Sequence, residues 1–367
     1  MKTIILFILQ FLSGFVLFSR TLIRKSRQPL ETDKKVSVII PARNEEQNLP
    51  YLLDSLHRQT YKPYEIIVID DFSEDKTEEI ARRHHVQVIK NTELPPGWTG
   101  KTWAVWNGYQ NSSGEILVFL DADVRLTPRA LESLIQTRER VKGVISVVPY
   151  HHTEKFYERF SLITNILGVF AFTSPFEKRN PEKGLYGSCI VAARNDYEKI
   201  NGHHSIKSEL LDDLNLGKKF SRAGIPVENY IGWGLVSFRM YPAGIKSEIQ
   251  GFGKGALLST ATLRPATVLI ILFWLLGLFA VEFMTPLLLL TKPSQVAPFV
   301  IGYILYTIQI IYFVKYVGYF GRIMPVFHFL SSLFFLLVTL FSFYQVTFLG
   351  YVSWKGRHIK IGGGKIC

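Results

Sequence analysis

The sequence predicts an α/β domain with a mostly parallel sheet, set between an N-terminal membrane anchor and a C-terminal helical membrane bundle. Three observations predict it. Short β-branched runs alternate with stretches of helical spacing across residues 35–255. Acidic residues stand where several of those runs end. Residues 266–349 are almost entirely apolar, whereas 20–264 carry charge, Gly and Pro as a soluble domain does.

The first apolar stretch, Thr3–Ser19, is near the short end of what crosses a bilayer. Only Lys2 precedes it, and Arg20, Arg24, Lys25, Arg27, Lys34 and Lys35 follow. A cleaved leader has the reverse order of charge. The stretch therefore reads as an uncleaved anchor (1–20) with the following domain in the cytoplasm of a multi-pass protein of the cell membrane. The net charge of +12 sits beside apolar segments, which fits anionic lipid headgroups and excludes a nucleic-acid groove as the preferred reading. Two cysteines, Cys189 and Cys367, are too few for a disulfide framework or a zinc site.

Within the domain, Lys35–Ala42 holds the strand-like run VSVII and ends at Pro41. Leu49, Leu52, Leu53 and Leu56 then recur at helical spacing. Glu65–Asp71 is a second buried strand, with Ser73 as a helix-start signal, and Val86–Lys90 is a third. Glu115–Asp123 is a fourth, leading to Thr127 as N-cap with Pro128 at the first helical position. Val144–Val148 closes the series. Phe160–Phe172 is apolar but too short to span and reads as an interfacial helix. About three spans follow within 265–351, near Ala266–Leu290, Pro298–Lys315 and Ile323–Leu349, and a basic tail occupies 352–367. Three crossings from a cytoplasmic Arg264 put that tail outside, against the positive-inside rule, unless one stretch re-enters or lies in the interface.

In parallel sheets ligands bind at the carboxyl ends of strands. Asp70 and Asp71 end the second run, and Asp121 and Asp123 end the fourth. Two carboxylates two residues apart at a strand end call for a neutralising hard cation, which also grips a diphosphate. No G-x-G-x-x-G follows the first run and no G-x-x-x-x-G-K-[ST] occurs, so ordinary dinucleotide and P-loop readings are weak.

PARNEE (41–46), IDDFSEDKT (69–77), LDADV (120–124) and LLDDLNLGKKFSRAG (210–224) together resemble the family 2 glycosyltransferases of the GT-A fold. The resemblance covers residues 35–255. It implies a nucleotide pocket lined by Pro41, Ala42, Asn44 and Glu45, with Asp71 or its neighbour Asp70 accepting a hydrogen bond from uracil. It implies Asp123 as the main ligand of a divalent cation, Mg2+ or Mn2+, and Asp121 at the ribose or the metal. Lys101 would approach the diphosphate, and Arg239, in an incomplete version of the Q-x-x-R-W element, would hold it with Lys254. An inverting transfer to a hydroxyl needs a base, for which Asp213, then Asp212, is the candidate.

IIPARNEE, VVPYHHTEKFYERFS, FRMY and WKGR further resemble the bacterial carotenoid glycosyltransferases acting on 4,4'-diaponeurosporenoate. That resemblance implies UDP-glucose as donor and a lipid acceptor drawn from the bilayer. A carboxylate acceptor is already ionised and needs no strong base. A hopanoid, diacylglycerol or polyprenyl phosphate acceptor, and a processive polysaccharide synthase, stand as alternatives.

Overall fold

The computed structural model describes residues 2–26, 30, 34–255, 262–354 and 357–360. Arg27, Lys355, Lys365 and Cys367, part of the expected basic clusters and thiols, lie outside the described residues. An N-terminal helix α1 (Lys2–Leu17) leads into the α/β domain: β1 (Val36–Ala42), α2 (Leu49–His57), β2 (Glu65–Asp70), α3 (Thr77–Arg83), β3 (Gln87–Lys90), α4 (Gly100–Gln110) and β4 (Ile116–Leu120). There follow β5 (Val124–Leu126), α5 (Ala130–Val141), β6 (Val144–Val148), β7 (Tyr150–His152), α6 (Leu162–Thr173), β8 (Cys189–Ala193), α7 (Arg194–Lys199), α8 (Asp212–Arg222), β9 (Val227–Ile231), β10 (Val236–Phe238) and α9 (Ile245–Gly255). The apolar C-terminal region comprises α10 (Pro265–Thr291), α11 (Ala297–Val317), β11 (Gly318–Tyr319), α12 (His328–Tyr344) and the hairpin β12 (Tyr351–Trp354) and β13 (Arg357–Lys360).

Seven strands form the main sheet in the order β3-β2-β1-β4-β8-β6-β9. It is parallel except where β8 lies antiparallel between β4 and β6. The inner strands are mostly apolar because both faces of the sheet are covered. Val38 and Ile40 of β1 join Leu49, Leu52, Leu53 and Leu56 of α2 on one side. Ile39, Ile67 and Ile69 meet Ala104 of α4 and Leu216 and Phe220 of α8 on the other. The expected helix start at Thr127 is corrected: α5 begins at Ala130, and the Thr127 hydroxyl donates to the Gly234 carbonyl at 3.4 Å instead of capping. Ser73 likewise does not open α3, because Asp75 accepts the Thr77 N–H at 3.0 Å.

A second sheet, β11-β7-β10-β5, joins the two halves of the molecule, since β11 follows directly from the apolar helix α11 and pairs with β7. Among the described residues four runs are long and apolar enough to cross a membrane: Tyr157–Glu177, Pro265–Thr291, Ala297–Val317 and His328–Leu349. The first was expected only as an interfacial helix. Its central helix α6 packs on α11 and α12 and also on β6 and β9, so it is shared between sheet and bundle. Helix α1 is a full member of the bundle and packs along α10 and α11. Gly14 permits that approach, because a Cβ there would sit 2.5 Å from the Trp274 indole nitrogen and 2.8 Å from Gln309 Oε1.

The course of the chain after α11 bears on where the tail starts. Helix α11 ends at the catalytic domain, where β11 pairs with β7. The chain then doubles back, so that the Tyr303 hydroxyl near the start of α11 donates to the Val326 carbonyl at 2.8 Å. Helix α12 returns from there to α9, and β12 lies against α9 as well. The start of the tail therefore sits on the same side as the catalytic domain.

Candidate active site

The carboxyl ends of β1, β2 and β4 point one way, and the N-terminus of α8 and the C-terminus of α9 close over them. Strand β1 is in register with β2 through Pro41–Ile69 and Ala42–Asp70, and the Asp71 N–H donates to the Ala42 carbonyl at 2.8 Å. The loops beyond are tied together. The Asn44 N–H donates to the Ser73 hydroxyl at 3.0 Å, the Glu74 N–H donates to Asn44 Oδ1 at 2.8 Å, and the Glu45 N–H donates to the Thr77 hydroxyl at 2.8 Å. Asn44 takes φ 52° to do so, a left-handed conformation that asparagine tolerates. Asp70 is buried and accepts the Ser73 N–H at 3.2 Å, and burial raises its carboxyl above the ordinary range. Asp71 accepts from the Asn91 amide at 3.3 Å, and Asn91 accepts from Asn107 at 2.8 Å.

The second group gathers around the tip of β4. Lys101, in the first turn of α4, places its Nζ 2.8 Å from Asp121 Oδ1, with 34% and 29% of the two side chains exposed. The Asp121 N–H donates to the Ser188 carbonyl at 3.0 Å, and the Gly187 N–H donates to Asp213 Oδ2 at 2.9 Å. The 185–188 segment thus stitches the strand tip to the first turn of α8. Burial lowers the Lys101 pKa, but Asp121, Asp212 and Asp213 outweigh it and hold the ammonium charged. Burial and the adjacent Asp212 push the Asp213 carboxyl up to about 6. Burial opposes ionisation of Asp212 too, yet Lys101 and Lys254 keep it below the usual range. Burial depresses the Lys254 ammonium, with Asp212 only partly offsetting it. Two tyrosines, Tyr186 and Tyr241, complete the cluster. Burial first, then the Asp123 carboxylate, raises both phenols above their ordinary value.

The structure therefore brings Lys101, Asp121, Asp123, Asp212 and Asp213 together, with Pro41, Ala42, Asp70 and Asp71 on the neighbouring strand ends. Arg239 differs. Its backbone N–H donates to the Asp123 carbonyl at 3.1 Å, but its guanidinium pairs with Glu154 at 2.7 Å and Glu158 at 2.9 Å. The cations in the field of the acids are Lys101 and Lys254. Sequence reasoning missed Asn91, Asn107, Tyr186 and Gly187, which carry no motif, and it gave Tyr241, the last residue of FRMY, no role in the site. Among the described residues no group of three or more His, Cys, Asp or Glu could hold a metal by itself. The Asp121–Asp123 oxygens fit a cation of the Mg2+ class, which typically takes one or two carboxylates and completes its shell with phosphate oxygens and water.

Comparison with known proteins agrees with this architecture. Residues 37–200 match the family described as Glycosyl transferase family 2. Over 363 residues the chain is 35% identical to a 4,4'-diaponeurosporenoate glycosyltransferase of Staphylococcus haemolyticus, covering 96% of each chain. The chain belongs to glycosyl transferase family 2. A second member, a 4,4'-diaponeurosporenoate glycosyltransferase of Staphylococcus aureus, is 32% identical over 354 residues, covering 95% of this chain and 94% of the relative. A mannosyltransferase of Pyrobaculum calidifontis, solved with GDP-Man and Mn2+, shares the fold with a TM-score of 0.52 at 15% identity, covering 94% of this chain and 97% of that one. This family 2 member is a glycosyltransferase of the GT-A fold.

Proposed function

We propose that the protein transfers glucose from UDP-glucose, with inversion, to the carboxylate of a long apolar polyene such as 4,4'-diaponeurosporenoate. The observation that carries the reading is the placement of the acid cluster. The site carboxylates Asp121, Asp212 and Asp213 and the ammonium of Lys101 lie in the field of Lys254, near the end of α9, and α9 packs on the apolar helix α12. A soluble charged donor and a bilayer-dissolved acceptor can meet only at such a junction. The relatives named for 4,4'-diaponeurosporenoate align over nearly the whole chain, bundle included.

In this reading Pro41, Ala42, Asn44, Glu45 and Asp71 line the nucleotide pocket, and the Asn107–Asn91–Asp71 chain fixes the carboxylate that accepts from the base. Asp70 keeps the β2 loop in shape through Ser73. Asp123 and Asp121 would hold a divalent cation, whose positive charge favours departure of the diphosphate. Lys101 and Lys254 add positive charge beside the same leaving group, and Arg239 positions Asp123 through its backbone. The acceptor oxygen forms a bond to the anomeric carbon as the bond from that carbon to the UDP oxygen breaks, and UDP leaves with the electron pair. A carboxylate acceptor loses no proton in this step. Asp213 is the base only when a hydroxyl attacks, with Asp212 as the fallback; in the carboxylate reaction they balance the two lysines. In this reading the protein sits in the cell membrane with its catalytic domain in the cytoplasm, the side that Arg20, Arg24 and Lys25 after α1 favour.

The experiment is transfer by the purified, detergent-held protein, with UDP-glucose and GDP-mannose as donors. The acceptors are the polyene acid, diacylglycerol and polyprenyl phosphate. The reading expects a β-glucosyl ester from UDP-glucose and the polyene acid. A polymeric product, or transfer confined to a hydroxyl or phosphate lipid, overturns it.

A further inference from the structure

His203 stands in the short 3-10 turn Gly202–Ile206, between α7 and α8. The turn packs on both α4 and α8. Just beyond it, the Thr99 N–H and the Thr102 hydroxyl both donate to the Lys207 carbonyl at 2.8 Å, on either side of Lys101. The imidazole itself is buried and lies 5.6 Å, between centroids, from the ring of Phe119 of β4, two residues before Asp121. These contacts seat the ring under the acid cluster, between α4 and α8.

Tyr197 decides which ring nitrogen holds the proton. Its buried hydroxyl oxygen accepts the His203 backbone N–H at 3.0 Å, and the same hydroxyl lies 2.8 Å from His203 Nδ1. The backbone N–H is a donor, so among the described residues Nδ1 is the acceptor open to the phenol proton. Burial lowers the imidazole to about 4, so the ring is neutral at physiological pH and carries its one proton on Nε2. That Nε2–H has no hydrogen-bond partner among the described residues. A donor so buried calls for an acceptor. The charges of Asp212, at the start of α8, and of Lys101 act on the imidazole, yet neither group is bonded to it.

We propose that His203 contacts the donor sugar, its Nε2–H donating to a sugar hydroxyl whose own proton is accepted by Asp212. This rests on the UDP-glucose reading of the reaction. In that reading the diphosphate lies at the tip of β4, and the sugar extends from there over the first turn of α8, where Asp212 and Asp213 stand. A hydroxyl both accepts and donates, and a fixed N–H opposite a carboxylate offers one partner for each. The pair discriminates among sugars, because one that lacks the hydroxyl leaves both groups unpaired. Tyr197 acts through His203 as a positioning residue, since its proton on Nδ1 keeps the ring hydrogen on Nε2. No covalent bond is made or broken at either residue.

The test pairs changes in the enzyme with changes in the donor. His203→Phe keeps an aromatic ring against Phe119 and removes the N–H, whereas His203→Gln restores a donor near the Nε2 position. With the protein in nanodiscs and the polyene acid as acceptor, kcat/KM is measured for UDP-glucose and for analogues that each lack one sugar hydroxyl. His203→Phe is expected to lower kcat/KM for UDP-glucose about tenfold, and His203→Gln to recover most of that loss. One analogue should be about tenfold poorer with the unaltered enzyme and no poorer than UDP-glucose with His203→Phe. UDP alone, titrated calorimetrically, should bind both variants within about twofold of the unaltered protein. Unchanged kcat/KM in His203→Phe, or an equal loss on every analogue, overturns the inference and leaves the reaction standing. A fall in UDP affinity that matches the fall in kcat/KM also overturns it, assigning His203 to the fold. No transfer from UDP-glucose by the unaltered protein removes the reaction and this inference together.

Discussion

Two of the places where this molecule buries charge are built differently. Around the tip of β4 and the first turn of α8, four carboxylates share two lysines, and Lys101 and Asp121 keep about a third of their side-chain surface open at 34% and 29%. Inside the apolar bundle, Glu282 of α10 and His328 of α12 pair with both side chains at 0% exposure. The Ser332 hydroxyl adds a hydrogen bond to Glu282 at 2.8 Å, and Tyr303 stacks on His328 at 4.4 Å. The first cluster carries an excess of negative charge facing an opening, which suits a cation and a diphosphate. The second pairs one acid with one base and is closed, so its partners act on each other. Glu282 has the intramembrane partner that its neighbours in sequence do not reveal.

That contrast can be broken at either end. The largest effect is expected from Asp123→Ala, which should lower transfer by about a thousandfold, the equivalent of several kcal/mol of charge stabilisation. Steady-state rates show it, and a variant within tenfold of the unaltered enzyme would remove Asp123 from the chemistry. In the bundle, Glu282→Leu alone should destabilise the protein by about 1–3 kcal/mol, since it leaves the buried His328 ring without its hydrogen-bond partner. Adding His328→Leu should recover most of that loss. Unfolding in detergent measures both, and donor affinity should not follow either change.

Asp213→Asn sharpens the comparison inside the catalytic cluster. A hydroxyl acceptor should suffer about a hundredfold loss, and the polyene carboxylate should react nearly as before. The pH profile carries the same information. Asp213 is pushed up to about 6, so base-dependent transfer should rise as pH passes through about 6, whereas carboxylate transfer should lack that limb. A smaller effect belongs to Glu248 of α9. Burial and the nearby Glu158 push its carboxyl up to about 8 from an ordinary 4.5. The folded state therefore keeps a proton that the unfolded chain releases, and stability falls as pH rises from about 5 to about 8. Glu248→Gln should melt a few degrees higher than the unaltered protein at pH 8 and alongside it at pH 5. Equal melting at both values would deny the buried proton.

What the sequence makes legible follows from how each segment is buried. Strands β1, β2, β4 and β6 are covered on both faces and so appear as runs in which apolar residues predominate. Strand β8, Cys189–Ala193, is as buried and as long as β4 and β6 but ends in two alanines, and nothing in its composition marks it as the antiparallel strand between them. The strands of the second sheet have three residues or fewer, too few for any period to show. The acids at the tip of β4 are legible because carboxylates at the end of VFL need a partner. Tyr186, Asn91 and Tyr241 reach the site only through tertiary contacts. Arg239 could be placed in the cluster from its motif, but not its two partners, Glu154 and Glu158, which stand in a distant segment. The doubling back before α12 was likewise hidden, since Ile323–Leu349 reads as one apolar stretch whether or not its first residues return along α11.

The central claim is that the β4 tip, with a divalent cation, cleaves a sugar diphosphate for a polyene acid. Its most direct test is to titrate Mg2+ or Mn2+ into the chelator-treated, detergent-held protein with labelled UDP-glucose and the polyene acid, counting UDP released against glucosyl ester formed. The account predicts one UDP per ester, with both appearing only as the ion is restored and neither in Asp123→Ala. Ester formation that proceeds equally under chelation, or that survives the loss of Asp123, contradicts it.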